Sequence, residues 1–416
     1  MSFRRIAVFV VVLVAAIIVL VGLAVIIGFE NTARERQEAL DPFYTPPDPI
    51  PQELGTVIRT EPMDIEVPDG SAIRMLYVSE RPGGERAVSG GMVFIPDAPR
   101  AKDKNGRNIV AYAHGTGGLG EACAPSRSKN PTNGMDGWLG LMMRQGWVVA
   151  ATDYVGIGTP GPNQYLIAQA EVRDVVNSVR AVQNIAEAGA GNQYTTFGHS
   201  QGGHSAVWAG TLAEKYAPGI DLLGVAAAAP ALNLEPIAAA QWQSPVGWVI
   251  GADLIESYPT YYSGLPTESL LTQTGKDVRE RLTDECVLPA GLEALVRDDL
   301  GQQFFSRSPA SVESWRKALL EQTPKPLPDT MPMFMTQGTA DKVVLPWPNA
   351  IIQDKWCKAG SDLTTLWLAG TNHQGAAEVS GPAVVEWLAQ RFQGKPTNPN
   401  CDFPPPVAPK DPGTPN

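Results

Sequence analysis

Six short and almost continuous apolar runs occupy the middle and end of this chain: NIVAYAHG, GWVVAATDY, QYTTFGHS, LLGVAAAAP, MPMFMTQGT and DLTTLWLAG. Runs of this length without polar alternation suit strands buried on both faces, where every side chain meets apolar surface whichever way it points. Helical patterning lies between several of them. In residues 171–188, Val172, Val175, Val176, Val179 and Val182 recur at helix spacing on one face. Strands alternating with helices predict an α/β fold with a mostly parallel, doubly wound sheet covered on both sides. Upstream, residues 72–80 (AIRMLYVSE) and 87–96 (AVSGGMVFIP) alternate apolar and polar positions between the turn signals PDG and RPGG, and read as further strands. One interval is too long for a crossover. Residues 232–329, between the fourth and fifth apolar runs, read as an inserted, mainly helical subdomain.

The chain has 416 residues, of which 44% are hydrophobic and 18% charged. That suits one large domain, or a domain with a big insertion, around a substantial core. A formal net charge of -11 argues against nucleic acid as a partner, because phosphate binding needs clustered Lys and Arg.

The N-terminal stretch has a different character. Residues 6–28 (IAVFVVVLVAAIIVLVGLAVIIG) carry no charge, and a helix of about 23 residues reaches about 34 Å, enough to span a bilayer. The run is long for a signal peptide and shows no clear small-x-small cleavage site, so it reads as an uncleaved transmembrane anchor, with secretion after cleavage as the alternative. Arg4 and Arg5 on one side nearly balance Arg34 and Arg36 on the other, so flanking charge leaves the orientation open. The cysteines bear on it. Cys123, Cys286, Cys357 and Cys401 are scattered, with no Cys-x-x-Cys pair to suggest zinc or a redox motif. An even number beside an export segment reads as two disulfides, with three connectivities open, and places the domain outside the cytoplasm; four buried free thiols are the plain alternative. The organisation is then an anchor over 1–29, a proline-rich linker over 30–55, the main domain over 56–394 with its insertion at 232–329, and a proline-rich tail over 395–416.

The third run leads into GHSQGG, residues 198–203. A Gly-x-Ser-x-Gly match alone is weak, with about 0.2 expected by chance at this glycine and serine content, so its context decides. Here Ser200 follows an apolar strand and precedes a helical stretch, while Gly198, Gly202 and Gly203 remove side chains where a strained turn brings backbones together. Such a turn lifts the hydroxyl above the sheet, where it needs a base, and the base an orienting acid. Four histidines compete. His114 ends a strand, His199 sits inside the turn pointing away from Ser200, and His204 lies on the following helix; these three read as structural imidazoles, and Ser205 as non-catalytic. His373, in the loop after the last strand, is the expected base. Asp341, after the preceding strand, is the expected acid, ahead of Glu235 and Asp153, the latter read as capping its own loop. The order nucleophile, acid, base, each after its own strand, is that of an α/β-hydrolase triad. Backbone N–H groups of Gln201 and of Thr116 or Gly117, in the loop HGTGG, are the expected oxyanion donors, with His114 fixing that loop.

With these residues in place, the ordered set DPFYTPP, AVSGGMVFIP, AYAHGTGGLGEACAPS, GHSQGG, GTADKVVLP and GTNHQG resembles the secretory lipase family, the lipase A-type α/β hydrolases with actinobacterial-like members. The resemblance runs from about residue 40 to about residue 393. It implies the α/β-hydrolase fold and hydrolysis of carboxylic esters (EC 3.1.1 type), often of lipids, with no metal or organic cofactor. It places the nucleophile, acid and base on Ser200, Asp341 and His373, and a helical lid in the insertion. It also implies the pairings Cys123–Cys286 and Cys357–Cys401. The long apolar N-terminus departs from the family pattern. Aromatic and aliphatic residues of the insertion, including Phe304, Phe305 and Trp315, are expected either to line an acyl channel or to form the insertion's own core. The partners expected are a lipid or other acyl ester and, through the N-terminal helix, a membrane, with no protein partner required. An acyltransferase using the same triad and an inactive binding module on the same fold are the competing readings.

Overall fold

Consecutive residues of one central strand send their side chains to opposite layers. In β4 (Arg107–Ala113), Ile109, Ala111 and Ala113 pack into one apolar cluster while Val110 and Tyr112 pack into another. This two-residue period, with both faces buried, is why the strand reads as an unbroken apolar run. The computed structural model describes residues 34–99 and 105–410.

The sheet has nine strands. β1 (Val57–Pro62), β2 (Gly70–Glu80) and β3 (Arg86–Pro96) are antiparallel, and β3 joins β5 (Val148–Thr152) antiparallel. From β5 onward the neighbours are parallel: β4, β6 (Ala190–His199), β7 (Asp221–Ala228), β8 (Met333–Gly338) and β9 (Leu363–Leu368). All six continuous runs and both alternating segments are strands. β1 goes unmarked in the sequence because Arg59, Glu61 and a terminal Pro62 give it the composition of a protected edge.

Helices cover both faces. α3 (Ala168–Gln183) buries Val172, Val175, Val176 and Val179 against Ile109 and Val148, in a cluster that also takes Trp208 and Ala213 of α4 (Gln201–Tyr216). On the other face Met142 and Met143 of α2 (Leu139–Arg144) and Val384 and Leu388 of α11 (Gly375–Phe392) meet Val110, Val149 and Phe197. Each fully buried aliphatic side chain contributes about 1.5–3 kcal/mol, so these two seams carry much of the fold's stability.

Between β7 and β8 lie five helices: α5 (Leu234–Gln241), α6 (Pro245–Ser257), α7 (Gln273–Asp284), α8 (Val287–Asp299) and α9 (Glu313–Glu321). They share a core in which Trp248, Tyr258, Phe304 and Trp315 are fully buried, with Tyr258 stacked on Trp315 at 5.6 Å between centroids. A disulfide joins Cys286, just before α8, to Cys123. A second joins Cys401 to Cys357 of α10 (Pro346–Lys358). Residues 395–410 form no helix or strand, yet Asn400 accepts from the Thr365 N–H at 2.8 Å and its Nδ2 donates to Thr365 O at 2.8 Å.

Residues 1–45 separate as a unit of their own from residues 46–416. Within the segment expected as an extended linker, residues 34–44 are helical (α1), with Arg34 paired to Glu38 at 2.9 Å. Residues 34–41 hold good helix formers ahead of the first proline, which accounts for the difference. The anchor expected over residues 6–28 lies outside the described residues, and among the described residues no helix is long and apolar enough to cross a membrane.

Candidate active site

β6 ends at His199 and α4 begins at Gln201, leaving Ser200 alone at the turn with φ 58° and ψ -117°. A non-glycine residue there carries on the order of 1–3 kcal/mol of strain, maintained by its surroundings. The Ser200 N–H donates to Ala228 O at 3.0 Å, and Ser200 O accepts from the N–H groups of His204 and Ala231 at 3.1 and 3.2 Å. The flanking glycines are steric necessities. A Cβ on Gly198 would overlap Gly202 O, one on Gly202 would overlap Ala113 O, and one on Gly203 would stand 2.7 Å from Pro230 Cβ.

Asp341 and His373 come together from the loops after β8 and β9. His373 Nδ1 lies 2.8 Å from Asp341 Oδ2, both side chains buried. Donation by Nδ1–H leaves Nε2 with a free lone pair, the tautomer a general base needs. The carboxylate is held on all sides: Oδ1 accepts from the N–H groups of Val343 and Val344 at 2.8 and 3.0 Å, and Oδ2 from Gln337 Nε2 at 3.1 Å.

His199 links this pair to the turn. Its ring lies 4.6 Å from that of His373, and its Nε2–H donates to His373 O at 2.9 Å. Burial, and then the neighbouring His373, lower its pKa to about 3, so it stays neutral. Among the described residues no hydrogen bond joins Ser200 to His373, and such contacts often tighten only once substrate is bound.

The loop after β4 packs against the same turn. A Cβ on Gly115 would sit 3.5 Å from Ser200 Cβ and 3.1 Å from His199 Nδ1, so this backbone runs close beside the turn. Thr116 Oγ1 hydrogen-bonds the Tyr165 hydroxyl at 2.7 Å, and Gly117 O accepts the Val287 N–H at 2.8 Å. His114 Nδ1 faces Gly115 O at 2.6 Å and its Nε2 faces Asp153 O at 3.3 Å, while its ring lies on Tyr154. Asp153 is fully buried and accepts from the N–H and hydroxyl of Ser126. Glu235 lies in the first turn of α5, and it is Asp341 that holds His373.

Residues 136–400, more than half of the chain, match the family described as Secretory lipase. The chain belongs to the secretory lipase family. It is 25% identical over 406 residues to a secreted triacylglycerol lipase of Malassezia globosa, spanning 89% of this chain and 83% of that protein. It is 22% identical, over 86% of this chain and 82% of the relative, to a Mycobacterium tuberculosis protein named "Probable inactive lipase". Among solved structures it resembles Candida antarctica lipase A at 18% identity, with a TM-score of 0.68 over 88% of this chain and 89% of that one. A rice cell wall degrading esterase from Xanthomonas oryzae gives 0.67 at 16% identity, over 83% and 100% of the two chains. The fold is that of the α/β hydrolases.

In this secretory lipase Ser200 opens onto an apolar cavity. Tyr165 and Leu166 line one side, Val343 and Val344 of the Asp341 loop another, and Leu234, Ile237, Trp242, Val246, Ile250, Leu254 and Phe305 of the insertion the rest. Trp248, Phe304 and Trp315 make the insertion's core, while Phe305 and one flank of α6 face the cavity.

Two groups escaped the sequence reading. Tyr165 gives no local signal, since its partner Thr116 is far along the chain. Glu171 sits within a valine-rich helix face, where a buried carboxylate is unexpected, yet it contacts the first turn of α4. The only hint is its place in the first turn of α3, where a helix favours an anion.

Proposed function

We propose that this secretory lipase hydrolyses acyl esters of lipids with Ser200 as nucleophile, His373 as general base and acid, and Asp341 orienting His373. The observation that carries the reading is the shared cavity. Ser200 faces the same apolar space as Val343 and Val344, whose N–H groups fix the carboxylate that holds His373.

In the first half-reaction the Ser200 Oγ proton passes to His373 Nε2 as Oγ bonds to the ester carbonyl carbon. The negative charge on the carbonyl oxygen is met by backbone donors, the Gln201 N–H and the N–H of Thr116 or Gly117. The tetrahedral species then expels the alcohol, which takes the proton from His373. Water repeats the sequence on the acyl-enzyme, releasing the acid and returning the proton to Ser200. The apolar cavity takes the acyl chain, its aliphatic and aromatic lining matching a hydrocarbon.

The reading includes location. The uncharged run over residues 6–28 supports a single-pass anchor with the enzyme outside the cytoplasm, where two disulfides persist. Cleavage of that run would instead release a secreted enzyme; membrane fractionation and N-terminal sequencing of the mature protein decide between them.

The test is turnover of p-nitrophenyl esters from acetate to palmitate by the oxidised protein beside Ser200→Ala. Loss of at least about 10³-fold in the variant supports the assignment, and retention of more than about one per cent of turnover refutes it. Transfer of the acyl group to an added alcohol in preference to water would identify an acyltransferase. Failure of a fluorophosphonate to label the folded protein would make it a binding module.

A further inference from the structure

We propose that Glu171 is a positioning residue that holds both sides of the oxyanion site in register, Gln201 directly and Thr116 through the Tyr165 loop. The inference rests on the reading of Ser200 given above.

The carboxylate of Glu171 is buried and surrounded by donors. Oε1 accepts from the Leu166 N–H at 2.9 Å and from Gln201 Nε2 at 2.8 Å. Oε2 accepts from the Ser205 hydroxyl at 2.8 Å and faces His204 Nδ1 at 3.0 Å. Four partners fill the acceptor sites of one carboxylate, so no lone pair is left for solvent or substrate. His204 Nε2 faces a second acceptor, Gln322 O, at 3.0 Å.

The partners themselves indicate the role. Gln201 supplies the backbone N–H beside the nucleophile, and its side chain is tied down by Glu171 Oε1. Leu166 has φ 52°, a conformation unfavourable for a leucine, and its N–H is held by the same oxygen. One residue before it, the Tyr165 hydroxyl meets Thr116 Oγ1 at 2.7 Å, and both Tyr165 and Leu166 line the cavity with Ser200. One oxygen atom therefore ties Gln201, beside the nucleophile, to the Tyr165 loop that hydrogen-bonds Thr116. A fold could bury the valine face of α3 without any acid at this position. The geometry gives the acid work at the site instead, because misplacing a preorganised donor weakens transition-state binding more than substrate binding.

The experiment compares Glu171→Gln, Tyr165→Phe and Ser200→Ala with the wild-type full chain. The readouts are kcat and KM on one ester, fluorophosphonate-titrated active sites, and inhibition by an alkyl trifluoromethyl ketone that mimics the oxyanion. Glu171→Gln keeps the shape but turns one acceptor into a donor facing Ser205 and His204. The expected result is a fall in kcat per titrated site of about 10–100-fold with KM changed by less than about threefold, and ketone affinity weakened by the same factor as kcat. Tyr165→Phe, which leaves Glu171 in place, should show a smaller loss of the same kind. Where Glu171→Gln does not fold, Gln201→Met, which keeps the backbone N–H but removes the side-chain bond to Glu171 Oε1, is read in the same way. Unchanged kcat per titrated site and unchanged ketone affinity, in a variant that is merely less stable, overturn the proposal. So does a rise in KM with kcat intact. If Ser200→Ala keeps its turnover, the reading of the site falls first and Glu171 with it.

Discussion

His373 donates Nδ1–H to Asp341 Oδ2 across 2.8 Å, joining residues 32 positions apart in the chain. The bond fixes which nitrogen carries the proton and so which is left to accept one. In Asp341→Asn the amide can present its NH₂ to Nδ1, favouring the tautomer whose Nε2 already bears hydrogen. We expect kcat to fall by about 10³–10⁴-fold with little change in melting temperature, measured on the ester that the wild type turns over best.

Two glycines inside helices should respond oppositely to alanine. Gly202 in α4 leaves no room for a Cβ against Ala113 O, while Gly291 in α8 has nothing within 4 Å of one. Gly202→Ala should cost about 3 kcal/mol or more or prevent soluble expression, because backbone must move. Gly291→Ala should gain about 0.5–1 kcal/mol from helix propensity alone. Chemical denaturation of both variants checks the pair.

The Cys123–Cys286 bridge, 163 residues apart in the chain, joins the segment after β4 to the start of α8. Replacing both cysteines by serine should cost about 2–4 kcal/mol by the loop-entropy account. The Gly117 O bond to the Val287 N–H lies beside the bridge, so kcat should fall as well. A variant less stable but equally active per titrated site would show that the oxyanion loop holds its shape unaided.

His199 gives a pH prediction with a definite sign. Folded, it stays neutral down to about pH 3, whereas an unfolded histidine takes up a proton below about pH 6.5. Between those values the unfolded state binds more protons, so stability falls as pH drops through that window. In His199→Gln, where an amide N–H can still reach His373 O, the decline between about pH 6.5 and about pH 4 should be shallower than in wild type. Urea midpoints at the two pH values measure it. An equal decline in both proteins would place the acid sensitivity elsewhere.

The cavity predicts chain-length selectivity. Ala238 lines it from α5, and Ala238→Trp would put a bulky ring into the space beside Ser200. Turnover of palmitate esters should fall by about tenfold or more while acetate esters change by less than about threefold, the steric cost being borne only by a long chain. Equal losses on both would mean that the acyl chain lies elsewhere.

Much of this molecule could be read along the chain. The six buried strands announced themselves because a strand covered on both faces has no position for a polar residue, and β6 followed by GHSQGG marked Ser200 because only glycine tolerates the approach of Ala113 O. Asp341 and His373 were legible as polar residues just past the ends of strands, where a parallel sheet gathers its loops. What the sequence determined by itself was local: which segments could be strands, where the strained turn must fall, and which loops carried polar groups. Tertiary structure decided what depends on distance through space. Four cysteines allow three pairings, and only the fold sets Cα separations of 5.2 and 5.3 Å for the two it joins. An acid within a valine-rich helix looks like a solvated residue until α4, the Tyr165 loop and Gln322 close around it. Glu171 acquires its partners from the Tyr165 loop and from α4, and no periodicity along α3 records either.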